Sequence, residues 1–151
     1  MTSRRISGSE LPELLRLYAF LHPEDPRVDP DAQAVQQHWT RILEDPNLRC
    51  YVAEEARRIV ATCTLAIIPN LTRGLRPYGF IENVVTDPDF RRRGFATDVL
   101  RCALDDAWKA GCYKVMLQTG SKREETLRFY ENAGFRRGVK TGFIAYPVTA
   151  L

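Results

Sequence analysis

The stretch from Gly79 to Gly111, GFIENVVTDPDFRRRGFATDVLRCALDDAWKAG, constrains the fold more than any other part of the chain. Phe80 to Thr86 is rich in β-branched and aromatic residues and stops at Asp87-Pro88, where proline cannot extend a ladder, so it reads as a strand. From Ala96 the apolar residues fall at Val99, Leu100, Ala103, Leu104, Ala107 and Trp108. These spacings put them on one helical face, and Gly111 stands where such a helix stops. Between strand and helix lies Arg91-Arg92-Arg93-Gly94-Phe95-Ala96. A strand, a tight basic turn and a long helix leave unpaired backbone N–H groups at the helix start, with the positive end of its dipole behind them. Gly94 allows positive φ and close approach of a ligand, and the small Ala96 removes bulk from the first helical turn. This pattern suits an anion. The plain alternative is a solvated basic turn that merely starts a helix.

The flanking chain reads as alternating short elements. Arg4 to Ile6 suits a first strand. Ser7-Gly8-Ser9-Glu10 has the form of a capping box, and Leu11, Leu14, Leu15, Tyr18 and Leu21 trace a helical stripe that ends before His22-Pro23. Asp29-Pro30 predicts the start of a second helix running to Glu44, with an apolar face drawn from Ala34, Val35, His38 or Trp39, and Ile42 or Leu43. Leu48 to Glu54 and Ile59 to Ile68 form a hairpin around Glu55–Arg58. Pro69 to Pro77 is a loop into the Phe80 strand. After the long helix come a strand over Tyr113 to Gln118 and a helix from Arg123 to Asn132 ended by Gly134. Strands at Phe135 to Val139 and Phe143 to Val148 then flank a Lys140-Thr141-Gly142 turn. The 151 residues fit one domain, 1–151, of the α/β class with a mixed sheet.

Several function classes fall away. The net charge of +3 is modest and its arginines are scattered in short clusters, which argues against nucleic acid as a partner. His22 and His38 have no companions at metal-ligand spacing, so no metal is expected. Cys50, Cys63, Cys102 and Cys112 form no C-x-x-C pair and suit buried thiols better than disulfides or zinc. No apolar run approaches the ~20 residues of a membrane span, and MTSRRISGSE lacks a signal peptide's apolar core. The expectation is a cytoplasmic protein with no membrane partner.

Arg91-x-x-Gly94-x-Ala96 after a Val-Val strand resembles the R/Q-x-x-G-x-G/A signature of the GNAT superfamily of N-acetyltransferases. Phe129-Tyr130-Glu131-Asn132-Ala133-Gly134-Phe135 is similar to the same family's F/L-Y-x-x-x-G-F segment, at the expected distance downstream. The chain departs from the pattern in three ways. Ala96 replaces the commoner glycine, Arg92 stands where glycine is frequent, and Arg123, Thr126 and Leu127 occupy a region where many members carry an asparagine that helps hold CoA. The resemblance implies a single GNAT-like domain, with a mixed, mostly antiparallel sheet flanked by helices and central strands that splay apart to admit acetyl-CoA.

By the same resemblance, the pantetheine amides pair with backbone groups of Asn83, Val84 and Val85, and the pyrophosphate sits on the N–H groups of Arg91, Arg92, Arg93, Gly94, Phe95, Ala96 and Thr97. The reaction implied is transfer of an acetyl group from acetyl-CoA to a primary amine by direct attack in a ternary complex. Glu82 is the candidate base, against the plain reading of an exposed strand carboxylate. Tyr130 matches the family tyrosine that approaches the CoA sulfur and is the candidate acid for the leaving thiolate, against a ring packed under the sheet. A backbone N–H near Val84 or Val85 would face the developing oxyanion. Arg73, Arg76 and Tyr78 are candidate substrate contacts, with surface solvation as the alternative for the arginines. The acceptor is a small-molecule or protein amine. Ile81-Glu82-Asn83 is similar to an Ile-Glu-Asp strand of the family's aminosugar-phosphate branch, and arginines near an acceptor cleft suit a phosphate or carboxylate. That favours a small anionic amine. The resemblance also allows a homodimer paired through C-terminal strands. The competing class is a non-catalytic acyl-CoA-binding sensor or assembly subunit.

Overall fold

A computed structural model describes residues 3–148 of the chain. The chain divides into two compact units, Met1–Leu117 and Gln118–Leu151, and each is described by itself.

The first unit is an open five-stranded sheet in the order β1-β2-β3-β4-β5. β1 (Ser3–Arg5) leads through a 3-10 turn to α1 (Leu11–Leu21). The Glu10 carboxylate accepts the Ser7 backbone N–H at 2.7 Å, so the predicted capping box starts this segment. α1 buries Leu11, Leu14 and Leu17, and Leu17 is completely enclosed although the predicted stripe omits it. α2 covers Gln33–Glu44 and buries Trp39, whose indole N–H donates to Gly8 O at 2.8 Å. It begins three residues later than Pro30. The Asp29 side chain accepts the Asp31 N–H at 3.0 Å, and the Ala32 N–H donates to Asp29 O at 3.2 Å, so an Asx turn takes the residues that were predicted to cap the helix.

β2 (Leu48–Glu55) and β3 (Arg58–Ile68) pair antiparallel across a two-residue turn in which Ala56 and Arg57 both have positive φ, 50° and 63°. That matches the right-handed twist of the strands without glycine. The loop after β3 contains α3 (Thr72–Leu75), one turn in which Arg73 and Gly74 are left-handed. β4 (Tyr78–Thr86) pairs antiparallel with β3. It also pairs in parallel with β5 (Val115–Leu117), at Gly79 to Ile81 only, and runs on to Thr86 beyond that pairing. The mixed, mostly antiparallel sheet is therefore present, with β4 and the last strand, β5, joined over three positions only. β5 is shorter than the Tyr113–Gln118 reading.

Helices cover both faces of this sheet. Leu17 packs with Val52, Ile59 and Val85, and Leu11 and Leu14 with Trp39 and Cys50, which fixes α1 and α2 on one face. α4 (Phe95–Lys109) covers the other. The Tyr51 hydroxyl donates to its Asp106 carboxylate at 2.8 Å, and the Cys63 thiol to Val99 O at 3.5 Å. α4 buries Val99, Leu100, Ala103 and Ala107 as predicted, whereas Trp108 is 49% exposed. Gly111, at φ 83°, ends it. The Gly111 N–H donates to Trp108 O and the Cys112 N–H to Ala107 O, each at 3.0 Å, a paired closure of the last carbonyls. All four cysteines are free thiols.

The second unit contains α5 (Glu124–Asn132), closed in the same way at Gly134 (φ 101°) by Gly134 N–H to Glu131 O and Phe135 N–H to Tyr130 O. The two strands predicted after it do not form among the described residues. Arg137 is drawn back onto α5 by Glu124, at 2.9 and 3.0 Å, and by Glu131 at 3.0 Å. Gly138, at φ 75°, then turns the chain where it would have to extend.

Candidate active site

The turn between β4 and α4 is built on a buried carboxylate. Asp87 is 1% exposed and accepts from Arg16 Nη1 at 2.7 Å, from Arg58 Nη2 at 3.0 Å and from the Asp89 N–H at 3.2 Å. Its own N–H donates to Val60 O at 2.8 Å. Burial pushes its pKa up, but Arg16, the Asp89 N–H and Arg58 outweigh this and hold it below the usual carboxylate range. Asp87 thus caps the 3-10 turn Pro88–Phe90 and anchors it to α1 and β3.

Beyond that anchor, the backbone is left-handed at Arg92 (φ 58°) and at Gly94 (φ 88°), and Phe95 is buried as the first residue of α4. No side chain caps the start of α4, and its first intrahelical bond is Asp98 N–H to Gly94 O at 3.0 Å. The N–H groups of Phe95, Ala96 and Thr97 therefore face outward at the positive end of a fifteen-residue helix. Arg93 is engaged elsewhere, paired with Glu55 at 2.8 Å and lying 5.2 Å from the ring centroids of both Phe90 and Phe95. Arg91 and Arg92 are exposed and have no acidic partner among the described residues. The arrangement offers backbone donors first and guanidinium charge second.

A β-bulge prepares the strand leading to this turn. Thr62 stands opposite Val85 and Thr64 opposite Glu82, so two residues of β4, Asn83 and Val84, answer the single Cys63 of β3. Asn83 takes φ 55°, a conformation asparagine tolerates better than a branched residue. The extra residue leaves part of the backbone there unpaired with β3, at the segment expected to meet an acyl chain. Glu82 is exposed on the α1 face beside Thr64. Tyr18 from α1 reaches the same place, its hydroxyl 3.4 Å from Thr64 Oγ1 and hydrogen-bonded to the Asn83 side chain. Burial pushes its phenol pKa up, partly offset by those two partners.

Glu82, Asn83, Val84, Val85 and the turn residues Arg91 to Thr97 thus follow one another along a single strand-turn-helix path. Arg73, Arg76 and Tyr78 do not join them. Tyr78 begins β4, about 13 Å along the strand from Glu82. Its ring meets Tyr113 edge-on at 6.4 Å with Lys114 Nζ 5.4 Å away, and Arg73 lies 5.8 Å over Tyr113. Arg76 donates to Gly111 O at 3.2 Å and to Cys112 O at 3.3 Å, closing the C-terminal end of α4. Tyr130 belongs to the second unit. It is half-buried on α5, with Phe129 at 4.9 Å and Phe135 edge-on at 6.4 Å.

The sequence reading missed Arg16, Arg58, Asp87 and Tyr18. Asp87 was visible only as the end of a strand, and Tyr18 only as one member of an apolar stripe. Among the described residues no group of His, Cys, Asp and Glu could hold a metal ion, and no helix is long and apolar enough to cross a membrane.

The Acetyltransferase (GNAT) family model matches residues 11–135. A glucosamine 6-phosphate N-acetyltransferase of Trypanosoma brucei brucei is 42% identical over 79 residues, 52% of this chain and 52% of that protein. The chain spans about half the length of that curated relative. Among solved structures, an inferred acetyltransferase of Agrobacterium tumefaciens str. C58 superposes with a TM-score of 0.90 at 44% identity, covering 97% of this chain and 100% of that one. A Trypanosoma brucei acetyltransferase gives 0.78 at 28% identity, covering 96% and 99%.

Proposed function

The chain belongs to the GNAT family of acetyltransferases, and from that membership we propose that it moves an acetyl group from acetyl-CoA to the primary amine of a small anionic acceptor, of the aminosugar-phosphate kind. One observation carries the cosubstrate. The uncapped start of α4, with left-handed backbone at Arg92 and Gly94 before it, offers outward N–H groups where a pyrophosphate needs them. The acceptor class rests on the glucosamine 6-phosphate acetyltransferase among the relatives.

An amine of pKa about 10.4 is almost wholly protonated at pH 7, and deprotonating it there costs about 4.6 kcal/mol. Glu82, exposed beside the bulge, takes that proton directly or through water. The freed amine attacks the thioester carbonyl, a C–N bond forms, and the N–H of Val84 or Val85 stabilises the oxyanion. As the carbonyl re-forms and the C–S bond breaks, the thiolate leaves with the electron pair and takes a proton from the Tyr130 phenol, while the attacking nitrogen gives up its surplus proton to water, from which the phenol is restored. Arg91 and Arg92 add charge to the phosphate end. Arg73 and Tyr78 contribute, at most, to the far edge of an acceptor path, and Arg76 is occupied at the end of α4.

We read the chain as one family domain, because the matched residues 11–135 run through both units. The exposed Val139, Phe143, Ile144, Tyr146 and Val148 support a homodimer, and use of acetyl-CoA supports a cytoplasmic setting.

The test is thiol release from acetyl-CoA in the presence of glucosamine 6-phosphate, unphosphorylated glucosamine and a peptide with a free N-terminus. Rapid release with the phosphorylated sugar alone is expected. Acetyl-CoA binding with no release on any amine would favour the non-catalytic subunit, and release on the peptide alone would reject the acceptor class.

A further inference from the structure

Three consecutive residues of α1 meet alternate residues of the chain that carries the proposed acetyl-CoA contacts. Arg16 donates to the Asp87 carboxylate at 2.7 Å, Leu17 packs with Val85, and the Tyr18 hydroxyl is bonded to the Asn83 side chain. α1 therefore grips this segment at both ends, at the turn through Arg16 and at the bulge through Tyr18. The second grip falls on the one residue of β4 whose backbone is left-handed, Asn83 at φ 55°.

Tyr18 is placed to hold that conformation. Its half-buried ring packs against both apolar clusters under α1, the one around Trp39 and Cys50 and the one around Leu17 and Val85. The ring is thereby fixed, and its hydroxyl lies 3.4 Å from Thr64 Oγ1. Thr64 stands opposite Glu82, the last paired residue before the bulge. A residue other than glycine keeps a positive φ inside a strand only where its surroundings favour it. A bulge that is not held can also move along its strand, and a shift by one residue turns every side chain and N–H it passes to the other side. With Asp87 fixed by Arg16, a hold on Asn83 leaves the two residues between the bulge and Val85's neighbour no freedom to exchange faces.

We propose that Tyr18 is a positioning residue for the acyl end of acetyl-CoA: its hydroxyl pins the bulge at Asn83 and so sets where the Val84 and Val85 N–H groups point. This role rests on the reading of Asn83 to Val85 as the backbone that meets the cosubstrate, and Tyr18 acts through Asn83.

The test is a double-variant cycle on Tyr18→Phe, Asn83→Gly and the two combined. Its readouts are acetyl-CoA affinity by calorimetric titration, thermal unfolding, and NMR of the Asn83, Val84 and Val85 backbone amides in the protein without acetyl-CoA. Phenylalanine keeps the ring in its packing, and glycine accepts φ 55° but has no side chain for the hydroxyl to hold. Expected is a rise in Kd of about fivefold for each single variant and no further rise when they are combined, because both remove the same contact. The backbone amide signals of Val84 and Val85 should move in Tyr18→Phe. Tyr51→Phe is the structural control. It removes the buried hydroxyl that bonds Asp106 on the other face of the sheet, and should lower Tm while leaving Kd within twofold of wild type. An unchanged Kd in Tyr18→Phe, a rise of about 25-fold in the combined variant, or an equal loss of affinity in Tyr51→Phe would overturn the role of Tyr18. A wild-type protein that bound no acetyl-CoA would instead refute the cosubstrate reading, and this role with it.

Discussion

Arg16, in the middle of α1, donates to the buried Asp87 carboxylate at 2.7 Å, and with its other nitrogen to Ile59 O at 2.6 Å. One guanidinium thereby ties the helix on one face of the sheet to β3 and to the first residue of the turn that carries the proposed phosphate site. Because the folded state holds Asp87 below its ordinary pKa, its contribution to stability is fully present above the unfolded value near 4. It is lost as pH falls through the lower folded value. Asp87→Asn should therefore cost about 2 kcal/mol at pH 7 and flatten the acid side of the stability curve. Urea unfolding of both proteins from pH 7 downward checks this. The variant should also bind acetyl-CoA severalfold more weakly, since the turn loses its anchor. Equal acid sensitivity in the two proteins would show that Asp87 does not carry the effect.

The strand-turn-helix core was legible because its signals are local. Asp87-Pro88 ends a strand by removing a donor, and a period of three and four marks α4 from Ala96 onward. What escaped depends on residues distant in sequence. Arg16 and Asp87 meet across 71 positions, and nothing in either neighbourhood announces it. The bulge at Asn83 was hidden for a related reason, since a strand pattern shows that residues alternate but not where one is added. Arg76 looked like a ligand residue in a loop. Its partners, Gly111 O and Cys112 O, are created by the end of a helix 35 residues later. The two missing C-terminal strands show propensity overruled, because Phe143 to Val148 has the composition of a strand, whereas a strand also needs a neighbour to pair with.

Backbone shape should matter more to acetyl-CoA binding than any single arginine. Gly94 at φ 88° cannot be proline, whose ring fixes φ near −65°, and an ordinary residue there costs about 1–2 kcal/mol. Gly94→Pro should raise the Kd for acetyl-CoA at least tenfold. Arg92→Ala, which removes an exposed side chain, should raise it only a few-fold and reduce its salt dependence. Calorimetric titration at two salt concentrations separates the two, and equal losses would contradict the backbone site.

Arg76 offers a direct contrast between structural and ligand roles. Its two bonds to Gly111 O and Cys112 O, just past the end of α4, should make Arg76→Ala less stable by about 1 kcal/mol, while the KM for the acceptor stays unchanged. Thermal unfolding and steady-state kinetics on the same preparation decide. A raised acceptor KM at full stability would restore the reading of Arg76 as a substrate contact.

Tyr130 tests the acid step. Its ring packs against Phe129 and Phe135, contacts that phenylalanine keeps, so Tyr130→Phe should fold normally. Removing the phenol takes away the proton that the departing thiolate needs, and kcat should fall about 100-fold, with the KM for acetyl-CoA little changed. The ratio between variant and wild type should also narrow at high pH. A phenol that has lost its proton at high pH has none to donate, which is the state the variant is in at every pH. Turnover equal to wild type at every pH would mean that solvent protonates the thiolate and that Tyr130 serves only to pack α5.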